Sequence, residues 1–161
     1  LLSFSDSFHA IIRGKIEASK SVSMAPGIYS LPGETVSYSI KAESTGLLPI
    51  DTGAVVLVDK LPSELALKLA DLDGPGSGPI FFDDGSPVSG LTYTFLGLAD
   101  ITDDLEFSDD GGMSFGYTPV DDGSGTDPSV THIRINPKGI FSGRWLSGNP
   151  NFEIVYDTVI N

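Results

Sequence analysis

The first 24 residues alternate in polarity for longer than a single strand usually runs. Apolar side chains occupy most even positions from Leu2 to Met24, and polar side chains occupy most odd ones. A period of two is typical of a β-strand with one buried face. At ~3.3 Å per residue this run would reach roughly 80 Å, about twice the width of a domain of this size. We therefore predict two strands, joined by a hinge at Arg13 and Gly14.

Length and charge narrow the possible classes of protein. The chain has 161 residues, which is enough for one domain with a sizeable core. It has no cysteine, which excludes disulfides and thiol catalysis. A net charge of -13 would repel a phosphate backbone, so we expect no nucleic-acid partner.

We see no apolar run long enough for a membrane span and no signal peptide. Because the chain opens on Leu1, we expect a processed mature protein or a trimmed piece of a longer one, and favour the former.

After residue 27 the sequence alternates strand-like runs with Asp, Gly and Pro turn clusters, at spacings typical of β-sandwiches. Residues 34–43 alternate as a half-buried strand, whereas the continuous apolar run 54–58 indicates a strand buried on both sides. Residues 63–70 fit a short helix or a strand, and we favour the strand. Further strands are predicted at 80–82, 91–98, 105–107, 113–117, 130–136 and 152–160.

These elements predict an all-β chain: a two-sheet antiparallel immunoglobulin-like sandwich with an extra N-terminal strand. We divide it into an N-terminal extension, residues 1–13, and a single sandwich domain, residues 14–161.

Four stretches of this region share a pattern with a known family. They read PGETVSYSIKAESTG, VVLVDKLPSEL, DDLEFSDDGGMSFGYTPV, and DPSVTHIRINPKG followed by NPNFEIVYDTVIN. In order and pattern they resemble the conserved-repeat domain of unknown function that recurs in secreted and surface proteins of bacteria and archaea. The resemblance implies an immunoglobulin-like sandwich outside the cytoplasm, with no enzymatic activity and no catalytic residues. Such domains commonly form tandem arrays, whereas this chain holds one copy preceded by a surplus strand.

The surplus strand has two interpretations. It pairs with an edge of its own sheet, or it inserts into a groove of a neighbouring copy, as the donor strands of bacterial fibre subunits do. We favour donation, which makes the chain its own partner in a head-to-tail filament. The donor face would consist of Leu2, Phe4, Asp6, Phe8, Ala10 and Ile12. Asp6 is the awkward member, because an unpaired buried carboxylate is costly.

The acidic loops provide the weaker hypothesis of a calcium site. Calcium takes six to eight oxygen ligands, which Asp and Gly loops can supply. The candidates are Asp109, Asp110, Asp121, Asp122 and Asp127. Asp and Gly are also the ordinary residues of tight turns, and we favour that interpretation. No other cofactor is expected.

Catalytic signals are weak, because neither histidine has a recognisable nucleophile partner and no spacing selects a pair of carboxylates. Trp145, in a Gly-rich stretch, is a candidate glycan-stacking residue, but we favour a partly buried core or interface role. The sequence therefore predicts a non-enzymatic, secreted structural subunit at the cell surface. The alternative is a monomeric surface or adhesion module that binds calcium or a surface ligand.

Overall fold

The computed structural model describes residues 14–24 and 31–161, and this part of the chain is all-β, without a helix. Its eleven strands are β1 (Ile16–Met24), β2 (Thr35–Ser44), β3 (Leu57–Lys60), β4 (Leu65–Lys68), β5 (Ile80–Asp83), β6 (Leu91–Thr92), β7 (Leu105–Ser108), β8 (Thr126–Asp127), β9 (His132–Ile135), β10 (Lys138–Gly139) and β11 (Asn151–Ile160). The prediction of an all-β chain with antiparallel sheets is confirmed. The ambiguous run 63–70 is a strand, β4, and not a helix.

The larger sheet is built around two ten-residue strands, β2 and β11, that pair in antiparallel register. Its order is β1-β2-β11-β4-β8, with β5 also paired to β11. Along β2 the inner side chains Val36, Ile40 and Ala42 are buried, while the serines between them are only partly covered. The alternation predicted for 34–43 is therefore confirmed, because one face of this strand packs on the core.

A second antiparallel sheet of order β3-β9-β7 lies across the core, and β6 and β10 form a small two-stranded sheet. Ile133 and Ile135 of β9 meet Phe152, Ile154 and Tyr156 of β11 in one apolar cluster. These five side chains have no exposed surface. The two sheets thus share a single core, as in a β-sandwich.

Three local predictions are wrong, one of them the strand 91–98, where only residues 91–92 form a strand, β6. Residues 54–58 do not form a strand buried on both sides, since Val55 is buried but Ala54, Val56 and Val58 are exposed. The reason is position: residues 54–56 lie before β3, and the face of β3 that holds Val58 and Lys60 points to solvent. Residues 113–117 form no strand, only an isolated bridge between Tyr117 and Phe107.

The long strands give the domain two ends. The start of β1, the end of β2 and the start of β11 meet at one end, through Ile16, Ser44 and Asn151. We call this end the N-terminal pole. The ends of β1 and β11 lie at the other end, beside the starts of β2 and β4. We call it the opposite pole.

Candidate functional site

Strand β1 has an inner face that the described chain does not cover. Its partners across the ladder are Ala42 for Ala18, Ile40 for Lys20 and Val36 for Met24, and all three partners are buried. Directly paired residues point to the same face of a sheet. Ala18, Lys20 and Val22 therefore face the core side, yet all three are exposed, Val22 by 60%.

The opposite sheet explains why the inner face of β1 is uncovered. That sheet ends at β3, and no other strand within the described residues pairs with the outer side of β3. One additional strand beside β3 would lie across the inner face of β1. We call the region between the inner face of β1 and the free edge of β3 the β1–β3 cleft. The inner face of β1 consists of Ile16, Ala18, Lys20, Val22 and Met24.

Lys20 spans this cleft at its middle. Its Nζ donates to Asp59 Oδ2 of β3 at 2.6 Å and contacts the Tyr156 hydroxyl at 3.0 Å. It also lies 4.3 Å from the ring centroid of Tyr38, which stacks on Tyr156. Burial raises the pKa of Tyr156, and its hydrogen bond to Asp59 raises it further, so the hydroxyl stays protonated and donates to that carboxylate. The centre of the cleft is therefore polar, with apolar side chains on either side of it.

The predicted donor side chains Leu2, Phe4, Asp6, Phe8, Ala10 and Ile12 lie outside the described residues, as does Arg13 of the hinge. Gly14 is described and lies at the N-terminal pole. A Cβ at this position would stand 2.8 Å from Ile50 Cγ1, too close for an ordinary contact. The carbonyl of the next residue, Lys15, accepts hydrogen bonds from the Thr45 and Gly46 amides. These contacts fix the positions of Gly14 and Lys15 at the N-terminal pole.

The acidic loops use their carboxylates in turns. Asp121 Oδ1 accepts from the Gly123 and Gly125 amides, both at 2.8 Å. Asp122 accepts from the amide and hydroxyl of Ser124, and the hydroxyl bond contributes most to the lowered pKa of Asp122. Asp127 is buried and accepts from the Tyr117 hydroxyl and the Val120 amide. Each of these three carboxylates thus has local donors, as expected for tight turns.

In the Asp109–Asp110 loop, Asp110 likewise accepts hydrogen bonds from nearby donors. Asp110 accepts from the amide and hydroxyl of Ser114 and from the Ser108 hydroxyl, and these bonds hold its pKa well below the ordinary range. Asp109 is exposed. Across residues 14–24 and 31–161, no three acidic or histidine side chains converge as metal ligands would. Calcium binding stays a prediction of the sequence.

Trp145 lies on the surface, at the N-terminal pole. Its amide and carbonyl pair with Gly148, so residues 146 and 147 form the tip of a tight hairpin. Trp145 is 73% exposed, so the core alternative of its prediction is wrong, whereas an interface role stays a prediction. Just before the hairpin, Gly143 packs on the backbone of Leu47, where a Cβ would come within 2.5 Å of the Leu47 carbonyl oxygen.

One feature of the sequence points to the polar centre of the cleft. Lys20 interrupts the apolar even positions of β1 just as Asp6 interrupts those of the extension. Asp59 and Tyr156 could not be linked to Lys20 from sequence, because they lie 39 and 136 residues away along the chain.

No family model, no curated protein and no solved structure matches this chain. The likeness to the conserved-repeat domain therefore depends on its sequence motifs alone. Among the described residues, no helix is long and apolar enough to cross a membrane.

Proposed function

We propose that this protein is a non-enzymatic, extracellular structural subunit with an immunoglobulin-like sandwich fold. Copies assemble into a filament when residues 1–12 of one copy insert into the β1–β3 cleft of the next. The observation that carries the proposal is the exposed inner face of β1, which lies opposite an edge of β3 that no strand of the described residues pairs with. A strand edge offers backbone hydrogen bonds, and an uncovered apolar face offers contacts for alternate side chains.

Length supports the match between donor and cleft. Strand β1 has nine residues, which span about 30 Å at ~3.3 Å per residue. A donor of twelve residues is long enough to follow the whole cleft. Its four large apolar side chains, Leu2, Phe4, Phe8 and Ile12, would contribute on the order of 6 to 12 kcal/mol gross, at roughly 1.5 to 3 kcal/mol each. Ordering costs reduce this value, but the remainder supports stable association.

The charges of the donor and of the cleft set the register in which the donor lies along β1. Along the inner face of β1 the side chains are apolar, apolar, cationic, apolar and apolar, with Lys20 at the centre. The donor face is also apolar on both sides of a single charge, Asp6. In the filament Asp6 lies over Lys20, whose ammonium group has three donors and uses one on Asp59 and a second on the Tyr156 hydroxyl, which leaves the third for Asp6. This pairing removes the difficulty that an isolated buried carboxylate would pose.

The proposed contact is heterologous, since the donor leaves one copy and the cleft belongs to another. Such contacts give open-ended polymers unless a rotation closes them into a ring. Because a second copy completes each cleft, only the terminal subunit of a filament keeps an empty one. The resemblance to surface-protein domains, which implies export, supports the extracellular location.

A peptide of residues 1–12 tests the donor role. We expect it to bind a chain that lacks residues 1–12 and, at about 100 times its Kd, to stabilise that chain by about 2.7 kcal/mol. For a domain of this size the melting temperature then rises by roughly 5 to 10 °C. Calorimetric titration and thermal unfolding measure the two quantities. As control, a peptide with Phe4 and Phe8 exchanged for their serine neighbours, which moves both rings to the other face, should not bind.

The same assay tests the register through a double-mutant cycle. Asp6→Asn in the peptide and Lys20→Gln in the truncated chain should each weaken binding, and the two effects should not add. Lys41→Gln is the matched control, because Lys41 lies on the outer face of β2 and pairs with Glu43. Equal affinity of the exchanged and native peptides would contradict donation, whereas additive effects of Asp6 and Lys20 would contradict only the register.

A further inference from the structure

The N-terminal pole carries an exposed apolar surface beside the point where the extension leaves the domain. Trp145 and Leu146 at the hairpin tip and Leu47 and Leu48 on the neighbouring loop are all exposed. Together with Arg144 and Asn149, three of these residues line an open cleft of about 720 Å³. We call Leu47, Leu48, Arg144, Trp145 and Leu146 the Trp145 patch. Contiguous apolar surface of this kind marks an interaction site.

One cation lies within this patch. No carboxylate of the described residues lies within ion-pair distance of Arg144, although the chain has 22 acidic side chains. The Arg144 amide donates to the Gly46 carbonyl at 2.7 Å, which ties the hairpin to the loop beside β1. The patch thus has a fixed position and an uncommitted positive charge. A partner with apolar surface and a carboxylate would complement it.

The opposite pole has these complementary properties. An open cleft of about 610 Å³ lies between the β3–β4 turn and the start of β9, and its lining includes Pro62, Glu64, Pro128 and Val130, with Lys60 and His132 also in the lining. Glu64 is exposed and forms no ion pair within the described chain. Asp109, two residues before the cleft-lining Gly111, adds a second exposed carboxylate. Two prolines present rigid apolar surface that can receive an aromatic ring.

We propose that the Trp145 patch of one copy docks into this cleft at the opposite pole of the next copy, with Arg144 against Glu64. The inference rests on the proposed function. Gly14, which follows the extension, lies at the N-terminal pole, and in our proposal the donor enters the neighbour's cleft from the opposite pole, which brings these two poles together in an open-ended chain of copies. The occupant of the patch is therefore a second copy of this chain. The contact gives the filament a rigid joint, which a single inserted strand does not provide.

Trp145 is the only tryptophan, so its fluorescence reports this contact directly. On assembly of the full chain we expect the emission maximum to shift to shorter wavelength as the indole leaves water. Trp145→Ala should raise the critical concentration for assembly about 30-fold, the change expected for a central interface tryptophan. It should not change the affinity of the peptide 1–12 for the truncated chain, which distinguishes this contact from strand donation.

Cross-linking supplies the second readout, because the natural chain has no cysteine. A variant carrying Leu146→Cys and Ser63→Cys should give a ladder of disulfide-linked copies on mild oxidation. A variant carrying Leu146→Cys and Ala99→Cys, at another exposed site, should not. Glu64→Lys should weaken assembly, while Asp73→Lys, with the same change in charge on an exposed loop, should not.

The outcomes separate the two proposals. Filaments that form without a ladder and without an emission shift would overturn the docking contact and leave strand donation intact. Quenching of Trp145 by added oligosaccharides, with the same absence of a ladder, would assign the patch to a glycan and also overturn the contact. A chain that stays monomeric at every concentration, with unchanged emission, would overturn both.

Discussion

Removal of residues 1–12 is expected to convert the protein from a polymer into a monomer without unfolding it. The described residues start at Gly14, and their core lies between β2, β9 and β11, so the deletion removes none of the core side chains within the described residues. What is lost is the proposed donor segment. Sizing with light scattering and negative-stain electron microscopy measure the effect over a range of concentrations.

A matched control keeps this deletion interpretable. Phe4→Ser with Phe8→Ser retains the length of the extension and removes its two largest apolar side chains. We expect this variant to lose filaments as completely as the deletion does, with the circular dichroism spectrum and melting temperature of the monomer unchanged in both. Filaments that persist after the deletion would contradict strand donation by residues 1–12.

The second large effect is expected at the acceptor. Val22→Asp places a short carboxylate on the inner face of β1, where the donor would bury it. Lys20, its neighbour on the same face, already binds Asp59. An uncompensated buried charge costs about 3 to 5 kcal/mol, so affinity for the donor should fall about 100-fold or more. The monomer should stay folded, because Val22 is 60% exposed in it.

Ser23→Asp is the control for this substitution. It adds the same charge to the same strand one residue later, on the outer face, where it should change stability by less than about 0.5 kcal/mol. We expect filaments from Ser23→Asp and monomers from Val22→Asp, by the same sizing measurement. Equal assembly of the two variants would exclude the inner face of β1 as the acceptor.

Local polarity predicted much of the fold. The alternation in β2 and β11 is readable because both strands pack one face on the core, and 63–70 is a strand because Leu65 and Leu67 are buried beside β11. The sequence did not show which face of each strand meets solvent. The apolar run 54–58 looks like a strand buried on both faces, yet only one face of β3 packs on the core, so Val58 on the other face is exposed.

The candidate site was predictable only in part. The sequence drew attention to residues 1–12 because the run exceeds the length of one strand, but it contained no information about where a donor would bind. The cleft depends on which strands stand at the edges of two different sheets, and this is set by pairings between residues far apart along the chain. The exposure of Trp145 could not be predicted from the sequence either, since it follows from a hairpin that places residues 146 and 147 at a tip.

The most direct test combines two chains that cannot assemble alone. Val22→Asp keeps its donor and has a blocked cleft, whereas the chain without residues 1–12 keeps its cleft and has no donor. Mixed in equal amounts, they should form a one-to-one complex by light scattering, and nothing longer. Two monomers that remain separate after mixing, or a mixture that forms long filaments, would contradict assembly by strand donation.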